Sequence, residues 1–317
     1  MGEHMIKDIV LSVKNLKKIY PGKIPFTAVN DISFDLKEGE VLGLLGSNGA
    51  GKTTTIQMLL STLKPTSGAI FYFGKDFFVH RSDILKDVAF ASTYVSLPWM
   101  LTIEQNLEVF GRLSGMNGLQ RQERIEPLLE RFGIADKKKS PVSSLSAGQI
   151  TRLMLVKAFM IRPKIALLDE PTASLDPDIA KDVVEFVLEQ RERYGTSILY
   201  TSHNMAEVGE VCDRVLFMQQ GKIVADDIPQ NLAKSVATSR VQLQVGDGMK
   251  RTAMIAERLK LKYKIEHRSI ELELDEGQIA ALLSALAEVG VIYTNINILQ
   301  PTLEDYFLHM VGKGVKS

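Results

Sequence analysis

The stretch Gly46-Ser47-Asn48-Gly49-Ala50-Gly51-Lys52-Thr53-Thr54 decides the fold. Two glycines separated by four residues, then Lys and Thr, form the pattern of a phosphate-cradling loop. The apolar run Val41-Leu42-Gly43-Leu44-Leu45 before it predicts a buried strand, and Thr54, Ile56, Met58, Leu59 and Leu60 after it predict a helix. The glycines let the backbone curl so that its N–H groups point inward at phosphate oxygens. The helix that follows presents unpaired N–H groups and the positive end of its dipole to an anion. Lys52 can then reach the β- and γ-phosphates, and the Thr53 hydroxyl can ligate Mg²⁺. A glycine-rich turn that merely happens to carry a lysine would not need the strand–loop–helix context.

Upstream, residues 10–20 and 28–36 read as strands, and Lys37-Glu38-Gly39 as the turn into the phosphate loop's strand. Tyr20, at a strand end, either stacks on a nucleotide base or closes a small core. Downstream, residues 69–73 and 88–91 read as strands, with helices around residues 107–113 and 121–132. Ser146 is a good N-cap for a long helix through Met160. Ile165-Ala166-Leu167-Leu168 is the short, fully apolar run of a strand covered on both faces. A helix follows at residues 178–194, a strand at 197–201, a helix at 205–212 and a strand at 214–218. This alternation predicts an α/β domain with a mostly parallel sheet. Ligands collect at the carboxyl ends of such strands. The phosphate loop, Asp169-Glu170 and His203 all lie just past strand ends, so they are expected to converge.

Bulk properties narrow the function. The 317 residues allow about two domains. Charged residues make up 24% and balance to a net charge of +0, which disfavours nucleic acid as a partner. The single cysteine, Cys212, lies in an apolar stretch and reads as packing. No apolar run approaches the ~20 residues that span a bilayer. The first five residues lack the basic and apolar regions of a signal peptide.

Chemistry can be assigned to a few residues. Asp169 after an apolar strand suits a carboxylate that holds Mg²⁺, and Glu170 can take a proton from water attacking a γ-phosphate. His203 is suited to hydrogen-bond that phosphate or the water.

These elements together resemble an ABC transporter nucleotide-binding subunit over about residues 9–234. Gly46 to Thr54 resembles the Walker A loop, and residues 165–170 the Walker B strand with its catalytic glutamate. Leu145-Ser146-Ala147-Gly148-Gln149 resembles the signature LSGGQ, with Ala147 where glycine is usual. Ser174-Leu175-Asp176 resembles the D-loop, His203 the switch histidine, and Tyr20 the adenine-stacking aromatic. The resemblance implies a P-loop ATPase fold with a RecA-like core, an antiparallel β subdomain and a helical subdomain at about residues 95–162. It further implies Mg²⁺ and ATP held in a sandwich dimer, each ATP between Walker A of one subunit and the signature of the other. At Thr93 the family usually has a glutamine that touches Mg²⁺ and links the site to the membrane partner. The shorter threonine is expected to lose that contact or pass it through water, giving slower or more partner-dependent turnover. The loop at residues 97–101 falls where a membrane partner would dock, and Trp99 and Met100 either anchor it or pack within the helical subdomain.

From about Pro229 the character changes. Residues 237–317 read as a separate α+β domain of order βαββαβ, ferredoxin-like, followed by a last helix. That extension, ending in Pro301-Thr302-Leu303-Glu304-Asp305-Tyr306-Phe307-Leu308, resembles the C-terminal region of ATPases from type-2 ABC exporters. The resemblance implies a cytoplasmic, membrane-associated ATPase, as a homodimer or paired with a related subunit, driving a separate permease. Two rival readings stay open: a non-transport ABC ATPase, and a nucleotide-sensing subunit with weak hydrolysis.

Overall fold

The computed structural model describes residues 8–92, 97–235 and 239–314. The chain divides into two compact units, Met1–Pro229 and Gln230–Ser317. The first unit opens with β1 (Ile9–Tyr20) and β2 (Phe26–Lys37), then β3 (Val41–Gly46) and α1 (Lys52–Leu59). Next come β4 (Ser67–Tyr72), β5 (Lys75–Asp76), α2 (Arg81–Ile84) and β6 (Val88–Ser92). Three helices interrupt the sheet: α3 (Ile103–Leu113), α4 (Gly118–Arg131) and α5 (Ala147–Phe159). Alternation resumes with β7 (Ile165–Asp169), α6 (Pro177–Tyr194), β8 (Ser197–Thr201), α7 (Met205–Val211), β9 (Arg214–Gln219) and β10 (Lys222–Asp227).

Two sheets organise this unit. The antiparallel one has the order β2-β1-β4-β5, and the other β10-β9-β3-β8-β7-β6. In the second sheet β9, β3, β8, β7 and β6 are parallel and β10 is antiparallel. The strands β3, β7 and β8 are buried at every position, as their apolar runs require. Ile56, Met58 and Leu59 of α1 share one buried cluster with Leu11, Val13 and Ile32 of the antiparallel sheet and with Leu42, Leu44 and Leu167 of the parallel one. The helix behind the phosphate loop is therefore clamped between both sheets. Each of these side chains gains roughly 1.5–3 kcal/mol from burial.

The three inserted helices start alike. Thr102 with Gln105, Asn117 with Gln120 and Ser146 with Gln149 each form a reciprocal capping box. Cys212 is buried and lies where a side chain on Gly43 would meet its Sγ at 3.1 Å. Burial pushes its thiol pKa up, so it acts as a small apolar side chain.

The break between units falls at the first residue of α8 (Pro229–Lys234). The second unit runs β11 (Ser239–Asp247), α9 (Met249–Arg258), β12 (Lys262–Glu266), β13 (Ser269–Leu274), α10 (Ile279–Glu288), β14 (Ile292–Leu299) and α11 (Leu303–Gly314). Its antiparallel sheet has the order β12-β13-β11-β14. Val241, Leu243, Ile270 and Leu272 on one sheet face share a core with Ile255 of α9 and Leu282 and Leu286 of α10. No helix among the described residues is long and apolar enough to cross a membrane.

Candidate functional site

The sheet order brings the chemistry together. Neighbouring strands β3, β8, β7 and β6 end in Gly46, Thr201, Asp169 and Ser92. The phosphate loop, His203, Asp169-Glu170 and the position of Thr93 therefore follow adjacent strand ends. Ser92 pairs in register with Asp169, and Asp169 with Thr201. Thr93 itself lies outside the described residues.

The loop needs its glycines for space as well as for angle. Gly46 has φ +148° and Gly51 φ +108°. A Cβ on Gly46 would come within 2.3 Å of Met218 O, and one on Gly51 within 2.5 Å of Ala28 O. Gly49 has φ +80° with open space around it, so its requirement is conformational alone. Gly51 caps α1 without a side chain, so the first-turn N–H groups have no side-chain acceptor there. Lys52 is buried, and its Nζ donates to Gly46 O at 2.6 Å and Ser47 O at 3.3 Å. Burial lowers its pKa, against the opposing charges of Glu170 and Asp169.

One hydroxyl organises the acids. Thr201 Oγ1 donates to Asp169 Oδ1 at 2.8 Å and accepts from Glu170 N at 3.0 Å. Glu170 sits at φ +55°, a conformation that costs a non-glycine residue of order 1 kcal/mol or more and that concentrates at functional sites. Its side chain is 11% exposed, and His203 Nε2 lies 2.7 Å from its Oε1.

Lys52, Thr53, Thr54, Asn48, Asp169, Glu170 and His203 line one cavity of about 340 Å³, together with Tyr20. Phe26, the cross-strand partner of Tyr20, lines it too and is 60% exposed. Phe26 carries no signal in the sequence, because it stands just after a Pro-containing loop where no strand period is visible. A glycine loop in left-handed conformations, an ammonium, uncapped helix N–H groups and a buried carboxylate pair fit a magnesium-bound nucleotide phosphate. Among the described residues no group of three or more His, Cys, Asp or Glu could hold a metal.

Residues 145–149 do not line that cavity. Ser146 and Ala147 are exposed at the start of α5, and Gly148 lies against Leu175 and Ser174. Ser174 has φ +67°, and Asp176 precedes α6, which begins at Pro177. Trp99 and Met100 are 60% and 89% exposed, so neither is buried among the inserted helices.

Fold and site together define a phosphate-loop ATPase. A family profile described as ABC transporter matches residues 29–173. The daunorubicin resistance ATP-binding protein DrrA2 of Streptomyces coeruleorubidus is 32% identical, over 88% of this chain and 89% of the relative. The Nod factor export ATP-binding protein I of Rhizobium johnstonii is 30% identical, over 97% and 96%. The bacitracin transport ATP-binding protein BcrA of Bacillus licheniformis is 29% identical, over 96% and 98%. A solved ATP-binding subunit of an ABC transporter superposes with a TM-score of 0.66 at 27% identity, over 71% of this chain and 92% of that one. The chain belongs to the family of ABC transporter ATP-binding subunits and is an ATPase of the cassette type.

Proposed function

We propose that this chain hydrolyses ATP between two copies of itself, or itself and a related subunit, to drive export through a separate transmembrane permease. The observation that carries the proposal is the buried Glu170 carboxylate, which shares one cavity with Lys52 and the phosphate loop. Glu170 accepts the proton of the attacking water, and His203 fixes the direction of its carboxylate. Lys52 and the loop N–H groups hold the β- and γ-phosphates, and Tyr20 stacks on the base. The Thr53 hydroxyl and Asp169 would hold Mg²⁺, which would supply positive charge against the phosphates. The exposed start of α5 supplies Ser146 and Gly148 to the partner's nucleotide, since its free N–H groups and dipole suit an anion.

Export is favoured by the named relatives, which match nearly the whole of this chain. The exposed Trp99 and Met100 suit docking to a permease at the cytoplasmic face of a membrane, because aromatics and Met are enriched at interfaces. The test is ATP turnover of wild type, Lys52→Ala and Glu170→Gln. Loss of nucleotide binding in the first variant and of hydrolysis with retained binding in the second supports the assignment. Full turnover in both overturns it.

A further inference from the structure

Glu207 sits in the first turn of α7 and is 7% exposed, yet the hydrolytic scheme gives its carboxylate no task. A buried carboxylate is costly unless hydrogen bonds replace its water. Its Oε1 accepts from Thr172 Oγ1 at 3.0 Å and from the Tyr200 hydroxyl. Burial, with the charge of Glu207, pushes the Tyr200 pKa up, which keeps that phenol a donor. The backbone N–H of Glu207 donates to Asn204 Oδ1 at 3.3 Å, the side chain that caps α7.

Thr172 follows Glu170 by two residues, and Asn204 follows His203 directly. Two short covalent segments, 170–172 and 203–207, are thus joined at both ends. At one end Glu170 meets His203 at 2.7 Å, and at the other Thr172 meets Glu207 at 3.0 Å. The first segment has little freedom, since Glu170 holds φ +55° and Pro171 has a fixed φ. Tyr200 anchors the closed ring to β8. Moving the Thr172–Glu207 end therefore moves the Glu170–His203 end.

We propose that Glu207 is a positioning residue that sets the Glu170 carboxylate against His203 through Thr172, an assignment that rests on Glu170 being the hydrolytic base. The test is steady-state ATP hydrolysis by Glu207→Gln, Thr172→Val and the double variant, with Glu170→Gln beside them. Each single change is expected to lower kcat about tenfold with KM for ATP within about twofold, and the double no further than the worse single. Thr172→Ser, which restores the hydroxyl, is expected to recover most of kcat. An unchanged kcat in Thr172→Val, a parallel rise in KM, or losses that multiply in the double variant overturns the proposal. If Glu207→Gln does not fold by circular dichroism, Thr172→Val against Thr172→Ser decides alone. Hydrolysis by Glu170→Gln would sink the base assignment and this proposal with it. An inactive Glu170→Gln beside a fully active Thr172→Val would sink the positioning role only.

Discussion

His203 Nε2 stands 2.7 Å from Glu170 Oε1, although the two residues follow different strands. Half of the contact is buried, with the carboxylate at 11% exposure and the imidazole at 59%. The histidine thereby fixes one oxygen of the carboxylate and leaves the other for a water. Replacing His203 by Ala is expected to lower ATP turnover by about a hundredfold, within the usual span for groups that orient proton transfer. Turnover within twofold of wild type contradicts this.

Gly51 leaves no room for a side chain. With φ +108° and Ala28 O at 2.5 Å from any Cβ, Gly51→Ala must deform the loop or β2. Its expected cost is about 1–3 kcal/mol of stability, with loss of nucleotide binding. Urea unfolding checks the first part and nucleotide titration the second.

Lys52 makes stability depend on pH. Its pKa in the folded chain is lowered by burial from the ordinary lysine value of 10.5. Below the folded pKa the ammonium is charged in both states and the burial cost is present in full. As pH rises through the folded pKa toward 10.5, the folded chain sheds the proton first and the cost disappears. The stability of Lys52→Met minus that of wild type is therefore expected to fall from pH 7 to pH 10. Paired denaturant titrations at the two pH values measure it, and a constant or growing difference contradicts it.

Thr201 serves both acids through a single hydroxyl. Thr201→Val keeps the shape and removes one donor and one acceptor inside the sheet. The expected loss is about 1–3 kcal/mol, because the buried Asp169 carboxylate loses the donor from Thr201, while the Glu170 N–H keeps the Thr201 carbonyl at 3.1 Å. kcat is expected to fall as well. Stability and turnover both at wild-type values would show that the carboxylates are held by other means.

Much of this architecture was legible in the residues. The phosphate loop needs glycine in its tight turn, and β7 needs an unbroken apolar run, so both announce themselves. Ser146 as an N-cap was equally plain, and the structure adds its reciprocal partner Gln149. The capping boxes at Thr102 and Asn117 are hidden from the residues read in order, because the stretches that read as helices begin near residues 107 and 121, several residues after the caps. β10 was missed for a related reason: it is half-exposed throughout and ends in Asp226-Asp227, so it lacks the signature of a buried strand. Strand order is not a local property, and nothing in residues 197–201 says that β8 inserts between β3 and β7. That insertion puts His203 beside Glu170. The left-handed backbone of Glu170 and the partners of the Thr201 hydroxyl arise from the same packing, and no sequence period encodes either one.

The central claim is that the site is completed by a second subunit, since Ser146 lies outside the cavity that holds Lys52 and Glu170. The most direct measurement is the mass of Glu170→Gln by size-exclusion chromatography with light scattering, with and without ATP and Mg²⁺. The expected result is a dimer with ATP, a monomer without it, and a monomer again when Ser146→Arg is added to the same chain. A Glu170→Gln chain that stays monomeric while holding ATP, or a dimer indifferent to Ser146→Arg, would contradict it.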